Sequence, residues 1–140
     1  MPQRVLLDTD ILSEVIKGID PIVVAHANAY SLNFGQLDFT SVSVLEILHG
    51  LHRKGAPAQI QRAEIIFAKN VEALPEYGDY RLAAQIAGAL SKQGTPIGIA
   101  DPLIAACAIR RGFGVATGNT DHFSYIQNAG FSLYIENWRK

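Results

Sequence analysis

The sequence predicts an α/β fold in which a parallel sheet is covered by helices on both faces. Three observations predict it. Short apolar runs that read as strands alternate with longer segments of helical periodicity. The first such run, Val5-Leu6-Leu7, has no polar position, as expected of a strand buried on both sides. The chain has 140 residues and is 49% hydrophobic, enough for one domain (1–140) with a sizeable core.

Each element has its own signal. "RVLLD" (4–8) is a short apolar strand that ends in an acid. "TDILSEVIKG" (9–18) has helical spacing and a glycine stop. Residues 21–33 read as a helix opened by Pro21, and "LDFTS" (37–41) as a second strand. In 42–55, Val44, Leu45, Leu48 and Leu51 recur at helical period. Residues 57–69 form an amphipathic helix, again with proline at the start, and "VEALP" (71–75) is a third strand. Residues 79–93 form a helix stopped by Gly94, and 101–111 another stopped by Gly112. "GVATG" (114–118) is a fourth strand and "SLYI" (132–135) a fifth. In "GNTDHF", between them, Asp121 reads as an ordinary turn acid.

Composition removes several classes of function. No apolar stretch approaches the roughly 20 residues of a membrane span, and the N-terminus reaches acids too soon for a signal peptide. The default expectation is a cytosolic protein. Cys107 is the only cysteine, which rules out an intramolecular disulfide and a cysteine zinc cluster. In "IAACAI" it reads as a small buried residue. A formal charge of −1 does not suit a protein that grips nucleic acid by charge alone. The pairs Arg53–Lys54 and Arg110–Arg111 fall near helix C-termini, where cations favour the helix dipole.

In parallel sheets ligands bind beyond the carboxyl ends of the strands. The polar residues expected there are Asp8 and Asp10, Ser41 and Ser43, and Thr117, Asn119 and Asp121, with Glu46 a turn into its helix and Asp101 opening another. Each acid has an ordinary structural explanation. Asp10 reads as a helix cap. "SVLE" reads as a capping box, with Glu46 reaching back to the Ser43 backbone. Asp101-Pro102 reads as an acidic cap followed by proline at the first helical position. His26 and His122 read as structural. Together these explanations weaken, because acids from distant segments fall at one end of one sheet. Like charges so placed repel unless a cation neutralises them. An all-oxygen cluster suits Mg²⁺ or Mn²⁺ better than zinc.

The stretches "LLDTDILSE", "TSVSVLEILHGL", "GTPIGIADPLIAACAIRRG" and "VATGNTDHF" resemble, in order and over nearly the whole chain, a PIN-domain ribonuclease of the VapC toxin kind. The resemblance implies a three-layer α/β/α sandwich with a parallel five-stranded sheet. It also implies Mg²⁺- or Mn²⁺-dependent endonucleolytic hydrolysis of RNA that leaves a 5′ phosphate, a homodimer, and a cognate VapB-like antitoxin. Asp8, Glu46 and Asp101 match the family's three main acids, with Asp8 and Asp101 as metal ligands. Asp10 stands where asparagine is usual. Asp121 is taken as the fourth acid, with Asn119 and Thr117 in support.

Two other functions compete. "LLDTDIL" is similar to the strand-end Asp-x-Asp of haloacid-dehalogenase-type phosphatases, with Asp8 as nucleophile, although "GIADPL" offers one later acid where that chemistry wants two. The other is a binding module that keeps the nuclease shape without its activity.

Overall fold

A computed structural model describes residues 1–140. The elements are β1 (Val5–Leu7), α1 (Thr9–Lys17), α2 (Pro21–Phe34), β2 (Asp38–Thr40), α3 (Ser41–Lys54) and α4 (Pro57–Lys69). They continue with β3 (Val71–Ala73), α5 (Tyr77–Lys92), α6 (Ala100–Arg111), β4 (Gly114–Thr117), α7 (Thr120–Asn128) and β5 (Ile135–Asn137). The five strands form one parallel sheet in the order β3-β2-β1-β4-β5.

Period-two alternation along the central strands divides the core. Val5 and Leu7 of β1 join Ala116 of β4 on one face, with Ile11, Leu12, Val23 and Ile47. Leu6 and Val115 face the other way, onto Ile86, Ile104, Phe123 and Ile126. Helices α1, α2 and α4 therefore cover one face and α5, α6 and α7 the other. Helix α3 contributes Ile47 to the first face and Val42 to the second.

The expected proline starts and the glycine stops at Gly18 and Gly112 hold, and Gly55 adds a stop that periodicity alone did not indicate. Pro21 and Pro57 open α2 and α4, and Gly18, Gly55 and Gly112 close α1, α3 and α6 in the left-handed conformation. Asp20 caps α2 by accepting from Ile22 N and Val23 N. Cys107 is fully buried, and burial above all, then Asp79, pushes its thiol up to about 11, out of reach of nucleophilic use at neutral pH.

Several expectations need correction. The fifth strand is Ile135–Asn137, not 132–135. Leu133 is drawn into the core, and the paired register with β4 starts at Ile135, opposite Val115. "GNTDHF" is not simply a turn, since α7 starts at Thr120 and Phe123 and Ile126 anchor it three residues apart. In α3 the buried positions are Ser43 and Ile47, while Leu45 is 70% exposed.

Candidate active site

In this strand order the chain turns back between β1 and β4, because β2 and β3 extend one side of β1 and β4 and β5 the other. Such a reversal opens a crevice at the carboxyl ends of the two central strands. A cleft of about 400 Å³ lies there, lined by Asp8, Thr9, Asp10, Ser13, Glu46, Lys54, Asp101 and Asn119, with Ile47 and Leu51 its only hydrophobic lining residues.

Asp8 follows β1 directly and is the N-cap of α1. Its backbone N–H still bonds to Ala116 O at 2.8 Å, so it is fixed as firmly as a strand residue. Asp8 Oδ1 accepts from Thr9 N at 2.8 Å, and Oδ2 accepts from Thr117 Oγ1 at 2.8 Å. Thr117 Oγ1 in turn accepts from Asn119 N at 2.9 Å. Despite these donors, burial foremost, then Asp101 and Asp10, push the Asp8 carboxyl up to about 7.

The cap at the start of α1 is thus Asp8, and Asp10 is released for the cleft. Asp10 Oδ2 accepts from Gly118 N at 3.1 Å and lies 3.7 Å from Arg139 Nε. Asp10 Oδ1 is buried with no hydrogen-bond partner. A side-chain carbon at Gly118 would press on the Arg139 side chain and on Asp10 Oδ2, which would have to shift.

Glu46 is not part of a capping box. The N-cap of α3 is Thr40, whose hydroxyl accepts from Ser43 N at 3.4 Å. Ser43 is therefore a buried helical residue and Glu46 lies nearly two turns in. Thr9 Oγ1 lies 2.6 Å from Glu46 Oε1 and 2.9 Å from Ser43 Oγ. Its single proton belongs on the bond to the carboxylate, the stronger acceptor. Asp101 is not a cap either. Ile99 occupies that position, and Asp101 Oδ2 lies 2.8 Å from His122 Nδ1.

The cleft thus brings together Asp8, Glu46 and Asp101 with Asn119 and, through Asp8, Thr117. Asp121 lies in the exposed first turn of α7 and does not line the cleft. Sequence reasoning took Asp10 for a cap and His122 for a structural residue, whereas the structure sets Asp10 in the cleft wall and His122 against Asp101. Two acids where one cap suffices was the available signal for Asp10.

No three His, Cys, Asp or Glu side chains form a ready-made metal cage. The donor set nevertheless fits a hard divalent ion that keeps part of its water shell. All donors are oxygens, Asp10 Oδ1 is a buried acceptor without a donor, and Asp8 is held against two like charges.

Residues 5–128 match the PIN domain family, and the chain belongs to it. It is 29% identical to the tRNA(fMet)-specific endonuclease VapC of Shigella flexneri, over 96% of this chain and 98% of that protein. It is 30% identical to the tRNA(fMet)-specific endonuclease VapC of Salmonella typhimurium, over 78% of this chain and 80% of that one. Among solved structures it is similar to the DNA-bound VapBC of Salmonella typhimurium, with a TM-score of 0.83 and 25% identity over 98% of this chain and 99% of that one. It shares its fold with VapBC2 of Rickettsia felis bound to a promoter DNA fragment, with a TM-score of 0.81 and 22% identity over 95% of this chain and 97% of that one. No helix is long and apolar enough to cross a membrane.

Proposed function

We propose that this protein is a metal-dependent endoribonuclease, the toxin of a VapBC-type toxin–antitoxin pair. The observation that carries the reading is the convergence of Asp8, Glu46 and Asp101, from three distant segments, on one polar cleft at the switch point of the sheet. Membership of the PIN domain family supports it, as do relatives named as tRNA endonucleases and a structural relative that is a VapBC complex. The phosphatase alternative has no such support.

Asp8 and Asp101 are the proposed ligands of Mg²⁺ or Mn²⁺, with Asp10 beside them. When bound, such an ion acidifies water and stabilises charge on a phosphoryl oxygen. Thr117 and Thr9 N hold the Asp8 carboxylate in one orientation. Glu46, oriented by Thr9, accepts the proton of the water that attacks phosphorus. The bond to the 3′ oxygen breaks, that oxygen takes a proton from solvent water, and a 5′ phosphate remains on the downstream fragment. Asn119 takes the fourth place at the cleft in preference to Asp121. The partners of this reading are an RNA substrate, a VapB-like antitoxin and a second copy of the chain.

Incubation with total RNA and with transfer RNA, with Mg²⁺ or excess chelator, tests the reading when the new ends are mapped. Mg²⁺-dependent cuts with 5′ phosphates are expected. Asp8→Asn and Glu46→Gln should each lower the rate by roughly 100-fold or more, the scale of one lost acid–base or electrostatic group. Undiminished cleavage by both variants would remove the chemistry from this cleft. A phosphoryl group trapped on Asp8 would favour the phosphatase instead.

A further inference from the structure

Asp101 is held differently from the other acids of the cleft. Asp8, Asp10 and Glu46 take their hydrogen bonds from backbone N–H groups or threonine hydroxyls close to the sheet. Asp101 has one side-chain bond, to an imidazole from another helix, with His122 Nδ1 at 2.8 Å from Oδ2. Its own helix does not fix it, since the start of α6 has no side-chain cap bond.

The backbone that carries the imidazole is well anchored. His122 stands in the first turn of α7, next to Phe123, which is fully buried, and α7 packs on α6 through the same core. The side chains of His122 and Asp101 are 39% and 20% exposed, so the pair sits at the rim of the cleft. An ionised carboxylate can only accept, so Nδ1 carries the proton in this pair.

We propose that His122 is a positioning residue for Asp101. Its Nδ1–H bond to Oδ2 fixes the rotation of the carboxylate and leaves Oδ1 free to bind a cation. Without it, Asp101 is a partly exposed aspartate on a helix surface, and ordering it opposes each binding event. Groups that orient a metal ligand in this way are worth roughly 10–100-fold in metal affinity. The inference rests on the reading of Asp101 as a cation ligand.

The test measures Mn²⁺ affinity without RNA, from the free-Mn²⁺ electron paramagnetic resonance signal. His122→Leu keeps bulk and removes the donor. His122→Asn places an amide N–H close to where imidazole Nδ1 stands. The Leu variant should bind Mn²⁺ about 10-fold or more weakly, and the Asn variant should stay within about 3-fold of wild type. Metal-free melting temperatures should hardly change. In an Asp101→Asn background, His122→Leu should have no further effect, because the coupling runs through that one bond. His122→Ala replaces the Leu variant if the latter does not fold.

Wild-type affinity in the donor-less variant would overturn the inference. So would an Asn variant as weak as the Leu variant, because the ring itself would then be required. A wild-type protein that binds no Mn²⁺ would overturn the metal reading and this inference together, whereas normal wild-type binding with an indifferent His122 overturns only the latter.

Discussion

Asp8 accepts a hydrogen bond on each carboxylate oxygen and still titrates near 7 rather than at its ordinary 3.8. The folded protein without metal keeps this proton up to about pH 7, whereas the unfolded chain releases it near 3.8. Asp8 therefore favours the fold fully below pH 3.8, and that contribution is lost as pH rises through 7. Asp8→Asn should stabilise the metal-free protein at pH 8 by about 1 kcal/mol, or roughly 4 °C, with little effect at pH 4. Thermal melts at the two pH values check this, and no gain at pH 8 would show that Asp8 is not electrostatically strained. Metal-induced stabilisation, which follows from binding the folded state alone, should vanish in the same variant. At this scale the sequence was legible where strand and acid adjoin, as at Leu7-Asp8, because the end of an apolar run marks the sheet's edge. Glu46 and Asp10 were harder. Their local patterns also describe caps, and only the positions of Thr40 and Asp8 decide which residue caps.

Helices α5 and α6 are joined by a buried charge. Asp79 is fully buried, accepts from Glu76 N at 2.8 Å, and receives Arg110 Nη1 at 3.0 Å and Arg111 Nη1 at 3.2 Å. Burial alone raises a carboxyl, but the Glu76 N–H and the two guanidiniums outweigh it and hold Asp79 below the usual range. Its contribution is thus complete above the unfolded carboxylate range and is lost as pH falls through its lowered folded value. Asp79→Asn removes the charge and turns one acceptor oxygen into a donor, set against either the two guanidiniums or the Glu76 N–H, and should cost about 2 kcal/mol. Arg110→Ala, at a half-exposed position, should cost under about 1 kcal/mol. Urea midpoints at neutral pH compare them, and near-equal losses would mean that the charge on Asp79 does not organise the contact. Arg110 and Arg111 had looked like partners of the helix dipole, since a partner 31 residues away leaves no local pattern. Proline and glycine made α1, α2, α4, α5 and α6 legible, because they act on backbone geometry directly. Helix α7 has Gly130 after its C-cap, but it begins with Asn119, Thr120 and Asp121, residues equally common in turns.

The molecule carries a formal charge of −1, and its cleft is acidic apart from Lys54 at one side. RNA binding by the inactive Asp101→Asn variant should therefore release few counterions, with a slope of log affinity against log salt near one unit per contact. A slope of about −6 or steeper would reveal a large basic surface, such as one built across two copies. The α/β architecture was legible at this scale because alternation of strands and helices leaves few ways to bury both faces of a sheet. The pairing of His122 with Asp101 was not, since it depends on how two helices lie on the far face. The parallel order of the sheet has a consequence for synthesis. β1 leaves the ribosome more than a hundred residues before β4, the strand that covers one of its edges and ends at Thr117. The acids emerge in the same stretched order, Asp8 early, Glu46 midway and Asp101 late. A polypeptide that stalls before residue 101 carries an unpaired strand edge and an incomplete set of carboxylates. Such a fragment would burden the chaperones through aggregation, while leaving the RNA of its host untouched.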